Sequence, residues 1–332
     1  LCAKANNTTY HMFGVPQSNM MNPAFQPANN VYIGCPGLSP LEFSFYNNVF
    51  SVAEIYQYND SLDRLITPFH PKAKKEDKDG FYKILKEINY ISFRANIPVA
   101  SFGFRVGGNM YASINASQRV ITSIDYPKDF ITIVTKGFYS PGKYDLSGFG
   151  ANISVFQEVG LGLSYKYSEE LLLGVRPKLL FGNYNYNIAN DGFYFEVDTG
   201  YINFNSSVNV RMNSPFTQLY VNEDGKLDSM NTELDTDIAL EDIKNPSNLG
   251  LGIDIGFQYK PISKLWVSGS IVDLGFIQWQ SYSKQINYNG TAKIQGLYRI
   301  EPGKSNQSDD ADTAGFLSML LDTLQDKIGS TV

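Results

Sequence analysis

The chain has 332 residues, 43% of them hydrophobic, with 22 Tyr, 22 Phe, 28 Gly and a formal net charge of −6. That charge argues against a nucleic-acid partner, because phosphate backbones are held by a surplus of Lys and Arg. No run approaches the roughly eighteen apolar residues of a transmembrane helix, and the cysteines, Cys2 and Cys35, imply no disulfide framework.

Residues 1–5 read Leu-Cys-Ala-Lys-Ala. Ala3-x-Ala5 is a small-residue cleavage signature, so this stretch is expected to be the tail of a secretory signal. A lipoprotein signal at Cys2 is the alternative, although Leu1 stands where a small residue is wanted. Residues 6–30 are dense in Asn and Pro, which suits an extended, turn-rich N-terminal segment. A first strand is expected over Val31–Tyr46, where Leu41, Phe43 and Phe45 alternate with Glu42, Ser44 and Tyr46, with a bend at Pro36-Gly37.

Phe50–Glu87 reads as an excursion, with helical spacing at Ile55, Leu62 and Leu65 and again at Tyr82 and Leu85. Its charged run from Lys72 is expected to be a solvated loop, a binding patch being the alternative. Tyr90–Val106 sets Ile91, Phe93, Ala95, Ile97 and Val99 opposite Ser92, Arg94 and Asn96. The phase then flips to Phe102, Phe104 and Val106, which predicts a bulge. After a tight turn at Gly107–Asn109, Met110, Ala112, Ile114 and Ala116 form the next apolar face. A second excursion is expected over Gln118–Leu146.

The clearest pattern is Gly148–Gly182. Phe149 to Tyr167 alternates apolar with polar residues, turns at Ser168–Glu170, and resumes from Leu171. A period of two makes an extended strand with one apolar and one polar face. Ordinary strands are about five to six residues long; these are several times longer. A membrane-spanning β-strand needs roughly 9–11 residues with lipid on one side. The other side then faces a polar lumen, which accounts for the Gly, Asn, Ser, Arg and Lys opposite the apolar face. A third excursion, Asn183–Asn248, precedes two more strands, Leu249–Lys260 and Leu265–Gln280. The alternation of the last slips at Val272-Asp273.

The fold class predicted is therefore all-β, an antiparallel transmembrane β-barrel in the bacterial outer membrane, with its apolar faces against the lipid bilayer. Short turns alternate with long excursions, which places 107–109, 168–170 and 260–264 in the periplasm and 50–87, 118–146 and 183–248 outside. Tyr165, Tyr167, Phe257, Tyr259 and Trp266 are expected as the aromatic girdle beside the short turns, with Trp279 marking the opposite rim. About seven spanning strands result, an odd number that leaves the barrel unclosed. Residues 283–332 read as a loop carrying an amphipathic stripe (Phe316, Leu317, Leu320, Leu321, Leu324), and the remaining strands are expected beyond Val332.

On the lumen face fall Arg94, Lys166, Arg176, Lys178, Asp254 and Lys260. They serve either as a permeation or ligand lining or as a salt-bridged, packed interior. The acidic tract Glu223–Asp242 offers Asp235, Asp237, Glu241 and Asp242 as weak calcium candidates. It lacks the spacing and central glycine of a calcium loop, and a solvated outer loop is expected. His11 and His70 are the only histidines and lie outside the strands. No metalloprotease, paired-cysteine or phosphate-loop motif occurs; no cofactor and no enzyme activity are expected.

Val15-Pro16-Gln17-Ser18, Asn22-Pro23-Ala24-Phe25-Gln26-Pro27 and Tyr32-Ile33-Gly34-x-Pro36-Gly37 together resemble an uncharacterised family of Bacteroidota outer-membrane barrels. That family is similar in turn to PorP/SprF-like and FadL-like (OMPP/TodX-type) barrels. Asp254-Ile255-Gly256, Tyr259-Lys260, Leu265 and Asp273-Leu274-Gly275-Phe276-Ile277-x-Trp279 match a second motif of the group. The resemblance covers the N-terminal half of a full-length member and implies about fourteen strands if FadL-like. It implies two roles. One is a partner-holding component of surface assembly or secretion, with other outer-membrane or surface proteins as partners. The other is a passive transporter of small apolar ligands. It carries over no catalytic residue.

Overall fold

A computed structural model describes residues 10–295, apart from 13–14, 36–40, 52–54, 69, 71, 139, 191, 224–225 and 233–247, together with 329–331. The chain forms strands β1 (Val31–Gly34), β2 (Glu42–Asn47), β3 (Gln57–Asn59), β4 (Arg64–Ile66), β5 (Ile88–Val106) and β6 (Met110–Pro127). There follow β7 (Gly142–Asp145), β8 (Gly150–Lys166), β9 (Leu171–Asn190), β10 (Tyr194–Val197) and β11 (Tyr201–Asn213). Last come β12 (Thr217–Val221), β13 (Leu227–Thr232), β14 (Asn248–Ile262), β15 (Leu265–Ile277), β16 (Ser283–Gln295) and β17 (Gly329–Thr331). The helices are α1 (Ser18–Met21), α2 (Lys75–Ile84) and α3 (Lys128–Lys136).

All pairings are antiparallel, and most strands join one sheet in the order β1–β5–β6–β8–β9–β11–β10–β7, with β2 also on β5. The lower half of β9 (Leu171–Gly182) pairs with β14, which pairs with β15. Its upper end (Asn185–Asn190) pairs with β11, which pairs with β16. The registers show β11 and β14 descending in succession beside β9, and β15 and β16 rising in succession beside them. The wall is thus a meander of long, interrupted strands, with the short turns at 107–109, 167–170 and 263–264 at one end. Among the described residues, no pairing joins β15 to β1 or β2.

The wall is strongly curled. Arg119 on β6 and Asp273 on β15 lie four strand steps apart, about 19 Å around the sheet at 4.8 Å per step. Their side chains nevertheless meet at 2.9 Å. The polar face is therefore the inner one.

Burial along the lower wall is inverted relative to a water-soluble sheet. Outward Leu161 and Leu251 are each 56% exposed, whereas inward Arg176 is 3% and Asp254 0% exposed. In the upper lobe the outer apolar face is covered instead. Tyr144, Phe195, Ile202, Phe204 and Ala292 cluster there, with Phe130 and Ile133 of α3 packed against them.

Both predicted phase changes are present as register shifts, at Pro98/Ala100 in β5 and at Ile253/Ile255 opposite β15. Four expectations need correction. The stretch 118–146 is not wholly an excursion: β6 continues to Pro127 before α3 and β7. Likewise much of 183–248 is wall, because β9 runs to Asn190 and β11 descends beside it. Within 50–87 residues 57–66 form the β3–β4 hairpin, and among the described residues Ile55 and Lys75–Ile84 are helical. The helical spacing of Ile55, Leu62 and Leu65 was too sparse to distinguish a turn of helix from a hairpin. Residues 283–295, expected as loop, are β16. The stripe at 316–324 and residues 1–5 lie outside the described residues.

Candidate functional site: a neutralised charge belt and the segment lodged on it

Mid-way up the inner face, six ionisable side chains from five strands converge. Lys178 Nζ lies 2.9 Å from Asp254 Oδ2, 2.8 Å from Asp273 Oδ1 and 3.6 Å from Glu158 Oε2. Arg176 Nη1 meets Asp254 Oδ2 at 3.1 Å. Arg119 reaches Asp273 at 2.9 Å and Glu158 at 3.7 Å. Three cations thus face three carboxylates and the belt carries no net charge.

Alternation supplies the vertical placement. Arg176 and Lys178 share one face of β9, and Asp254 pairs directly with Arg176 across β9 and β14. Asp273 needs more than alternation. Val272 and Asp273 oppose the single Asp254 in the β14–β15 register, and Asp273 adopts φ 60°. That is a bulge at a residue type that tolerates left-handed backbone. The Asp273 N–H donates to Asp254 Oδ1 at 2.7 Å, tying the bulge to the belt.

The N-terminal segment lies on the belt and on the wall below it. Asn22 is fully buried and its Nδ2 donates to the carbonyls of Phe257 (3.0 Å) and Gly269 (3.2 Å). Arg176 donates to the Asn19 carbonyl (2.5 Å) and Asn19 Oδ1 (2.6 Å). Ser270 Oγ donates to the Met21 carbonyl and Ser164 Oγ to that of Ala24, at 2.7 and 2.8 Å. Arg105 binds Gln26 Oε1 and the Pro27 carbonyl. Contacts from β5 to β15 hold one short segment inside the curl.

Two glycines permit this seating. A Cβ on Gly174 would fall 2.1 Å from the carbonyl carbon of Pro23, and one on Gly256 equally close to Asn22 Oδ1. The polar-face glycines read from alternation are thus sites of close backbone approach.

Of the residues expected on the inner face, Arg176, Lys178 and Asp254 come together. Arg94 points inward from β5 but stands apart, its guanidinium 5.8 Å from the Tyr46 ring. Lys166 and Lys260 lie at the turn end, the first against Glu169 (2.6 Å), the second 4.8 Å from the Trp266 ring. Trp266 therefore shares the face of Lys260 and not that of Phe257 and Tyr259. Tyr165, Tyr167, Phe257 and Tyr259 are all at least 40% exposed near the short turns. Trp279 faces inward just beyond the end of β15, so close to Gly182 that a Cβ there would be 2.6 Å from its ring. The calcium candidates Asp235, Asp237, Glu241 and Asp242 lie outside the described residues. Arg119, Glu158 and Asp273 were not singled out from sequence. Extending the β6 alternation past Ser117 would have found Arg119.

The profile of one protein family matches residues 23–331. The chain belongs to the family of unknown function DUF5723. The DUF5723 match opens at Pro23, within the lodged segment, and spans all six belt residues. No curated protein and no solved structure matches the chain. The likeness to PorP/SprF-like and FadL-like barrels therefore rests on the motifs quoted from the sequence.

Proposed function

We propose that this chain forms the wall of an integral outer-membrane β-barrel that holds partner proteins in surface assembly or secretion, and does not conduct solutes. The membrane reading draws on the bare outer face. On β14, Leu249, Leu251, Ile253, Ile255, Phe257 and Tyr259 are each at least 39% exposed. Ten residue steps at about 3.4 Å cover roughly 34 Å, which at a tilt near 40° gives about 26 Å, close to the apolar band of outer-membrane barrels. In water such a contiguous apolar surface would be an aggregation hazard. Where the wall rises past this band, α3 covers its apolar face, as contact with water requires.

One observation favours holding over conduction: the interior is occupied. Lys178, Arg176 and Asp254 are mutually paired, and the segment around Asn22 fills the space beside them. The test uses the complete reading frame, expressed natively and extracted from outer membrane. Particle mass well above the monomer with defined co-purifying chains, and no conductance in planar bilayers, is expected. A clean monomer with steady conductance would overturn this reading.

One observation favours passive transport of small ligands as the second reading. A cleft of about 300 Å³ opens above the belt, between β8 and the end of β15. Transport then requires the N-terminal segment to move.

A further inference from the structure

The cleft has three distinct surroundings. Its floor is the belt, where Arg119, Lys178 and Asp273 contribute. Apolar side chains flank it, among them Phe156, Leu180 and Trp279. Above it the inner face changes character. Ser154, Asn185 and Asn213 lie side by side in one row, and Asn152 and Asn187 in the next, followed by Arg211. Asn209 and Asn287 pair in the row above. Arg211, exposed to solvent, is the charged residue among those named, and across the sheet Arg94 on β5 and Asp125 on β6 continue the first and third rows.

We infer that this cleft and the amide rows above it bind a neutral, hydroxyl-rich ligand, a short saccharide, with a sugar ring against Trp279. Three observations point there. First, the floor has no cation to spare for an anionic head group. Lys178 and Arg119 already meet carboxylates at 2.8–2.9 Å. Second, side-chain amides each offer both donors and acceptors, which suits hydroxyls that do the same. Asn185 Nδ2 donates to Ser154 Oγ, which donates to Asn152 Oδ1, leaving the Asn152 NH2 without a partner in that chain. Asn209 gives its NH2 to Asn287 Oδ1, and its own Oδ1 is buried without a donor. Third, Trp279 is held against Gly182 on one side and is only partly buried, lining the cleft. An aromatic ring beside a few convergent polar groups is the usual composition of a small-molecule site, and the volume falls at the low end of the roughly 300–1,000 Å³ range.

This goes beyond the holding role and does not require the belt to open. A protein that conducts nothing still binds, so failure of either reading leaves the other standing. These 332 residues hold two Trp, and Trp266→Phe, with any Trp outside them also changed to Phe, leaves Trp279 as the only indole emitter. The full-length protein carrying that change, in phosphatidylcholine nanodiscs free of glycosidic detergent, is titrated with maltohexaose, cellohexaose and laurate. A saturable change in Trp279 emission with at least one oligosaccharide, and none with laurate, is expected. Gly182→Ala, which drives a Cβ into the ring, is expected to weaken that binding about tenfold, the size of one aromatic contact. If Gly182→Ala fails to assemble, Asn152→Ala removes an amide without touching the packing beneath Trp279 and is expected to weaken binding in the same direction. Saturation by laurate alone, no response to any of the probes, or oligosaccharide binding unmoved by either variant would overturn the inference.

Discussion

Replacing Gly174 by Ala tests whether the N-terminal segment is seated as described. The new Cβ would stand 2.1 Å from the Pro23 carbonyl carbon and 2.2 Å from the Ala24 nitrogen. Carbon atoms in contact sit about 3.5–4.0 Å apart, so the segment must withdraw by about 1.5 Å. Both obstacles are backbone, and no rotamer change relieves them. Hydrogen bonds of 2.7–3.0 Å do not survive that displacement. The bonds at risk are Asn22 to the Phe257 carbonyl, Ser270 to the Met21 carbonyl and Ser164 to the Ala24 carbonyl. At about 1 kcal/mol each their loss totals roughly 3 kcal/mol, which raises the population of the unseated segment about a hundredfold. The assay is maleimide labelling of Met21→Cys, a position 5% exposed, in a Cys2→Ser/Cys35→Ser background reconstituted in lipid. Labelling is expected to be slow in the parent and about a hundredfold faster with Gly174→Ala. Gly80→Ala, where a Cβ meets nothing within 4 Å, is the control and is expected to change nothing. Equal labelling rates in the Gly174→Ala and parent proteins would refute the seating.

Asp254→Asn removes the fully buried carboxylate shared by Arg176 and Lys178. Stranding buried cations costs about 3–5 kcal/mol, read as a lower urea midpoint. Adding Lys178→Met to that variant is expected to recover part of the loss, and a midpoint unchanged by Asp254→Asn would contradict the belt's role. Leu251→Arg places a charge on the bare outer face and is expected to cost about 2–4 kcal/mol of folding stability in lipid vesicles if that face meets the bilayer core. A loss within about 0.5 kcal/mol, typical of a water-exposed site, would count against the membrane reading. In the upper lobe, hydrogen bonds from Ser147, first its hydroxyl and then its N–H, hold the Asp145 carboxyl below the usual range. A depressed folded value stabilises above the unfolded pKa and is lost as pH falls through the folded one. Ser147→Ala is therefore expected to raise the Asp145 titration midpoint followed by NMR; an unmoved midpoint would exclude that cause.

Alternation made most of the wall legible, and it did so for a physical reason. Where one face meets water or lipid uniformly and the other does not, the period of two is written into every residue pair. Thus Leu249–Tyr259 and Val159–Tyr167 were readable, and so were the two bulges, each a slip in phase. The pattern blurred above the apolar band. There the outer face is covered, by α3 over β10 and β11 and by Phe216 and Thr217 beside Tyr184 and Tyr186, and the inner face carries amides, so Tyr184-Asn185-Tyr186-Asn187 alternates without the Leu and Ile that mark a strand. The period slips once at Asn183, where Gly182 opposes Phe156 and Tyr184 opposes Val155, and beyond the slip its apolar half is no longer hydrophobic enough to be counted. A chain read for hydrophobicity alone ends its strands at the edge of the bare band.

The belt illustrates what no one-dimensional pattern contains. Alternation puts Arg176, Lys178 and Asp254 on one face because β9 and β14 are neighbours with a fixed register. Arg119 joins them only because the sheet curls enough to bring β6 to β15, and Asp273 only because its bulge turns it inward. Curl and bulge are properties of the assembled wall. The same holds for Asn22, whose place depends on Gly174 and Gly256, residues some hundred and fifty and more positions away in the chain. Glycine on the polar face of a strand weakens the strand and gains nothing by itself. Paired with a fully buried Asn-Pro-Ala stretch that sits over both glycines, each becomes the imprint of the segment that lies on it. A segment imprinted this way is part of the interior's structure, which is why displacing it is the sharpest test of what the wall encloses.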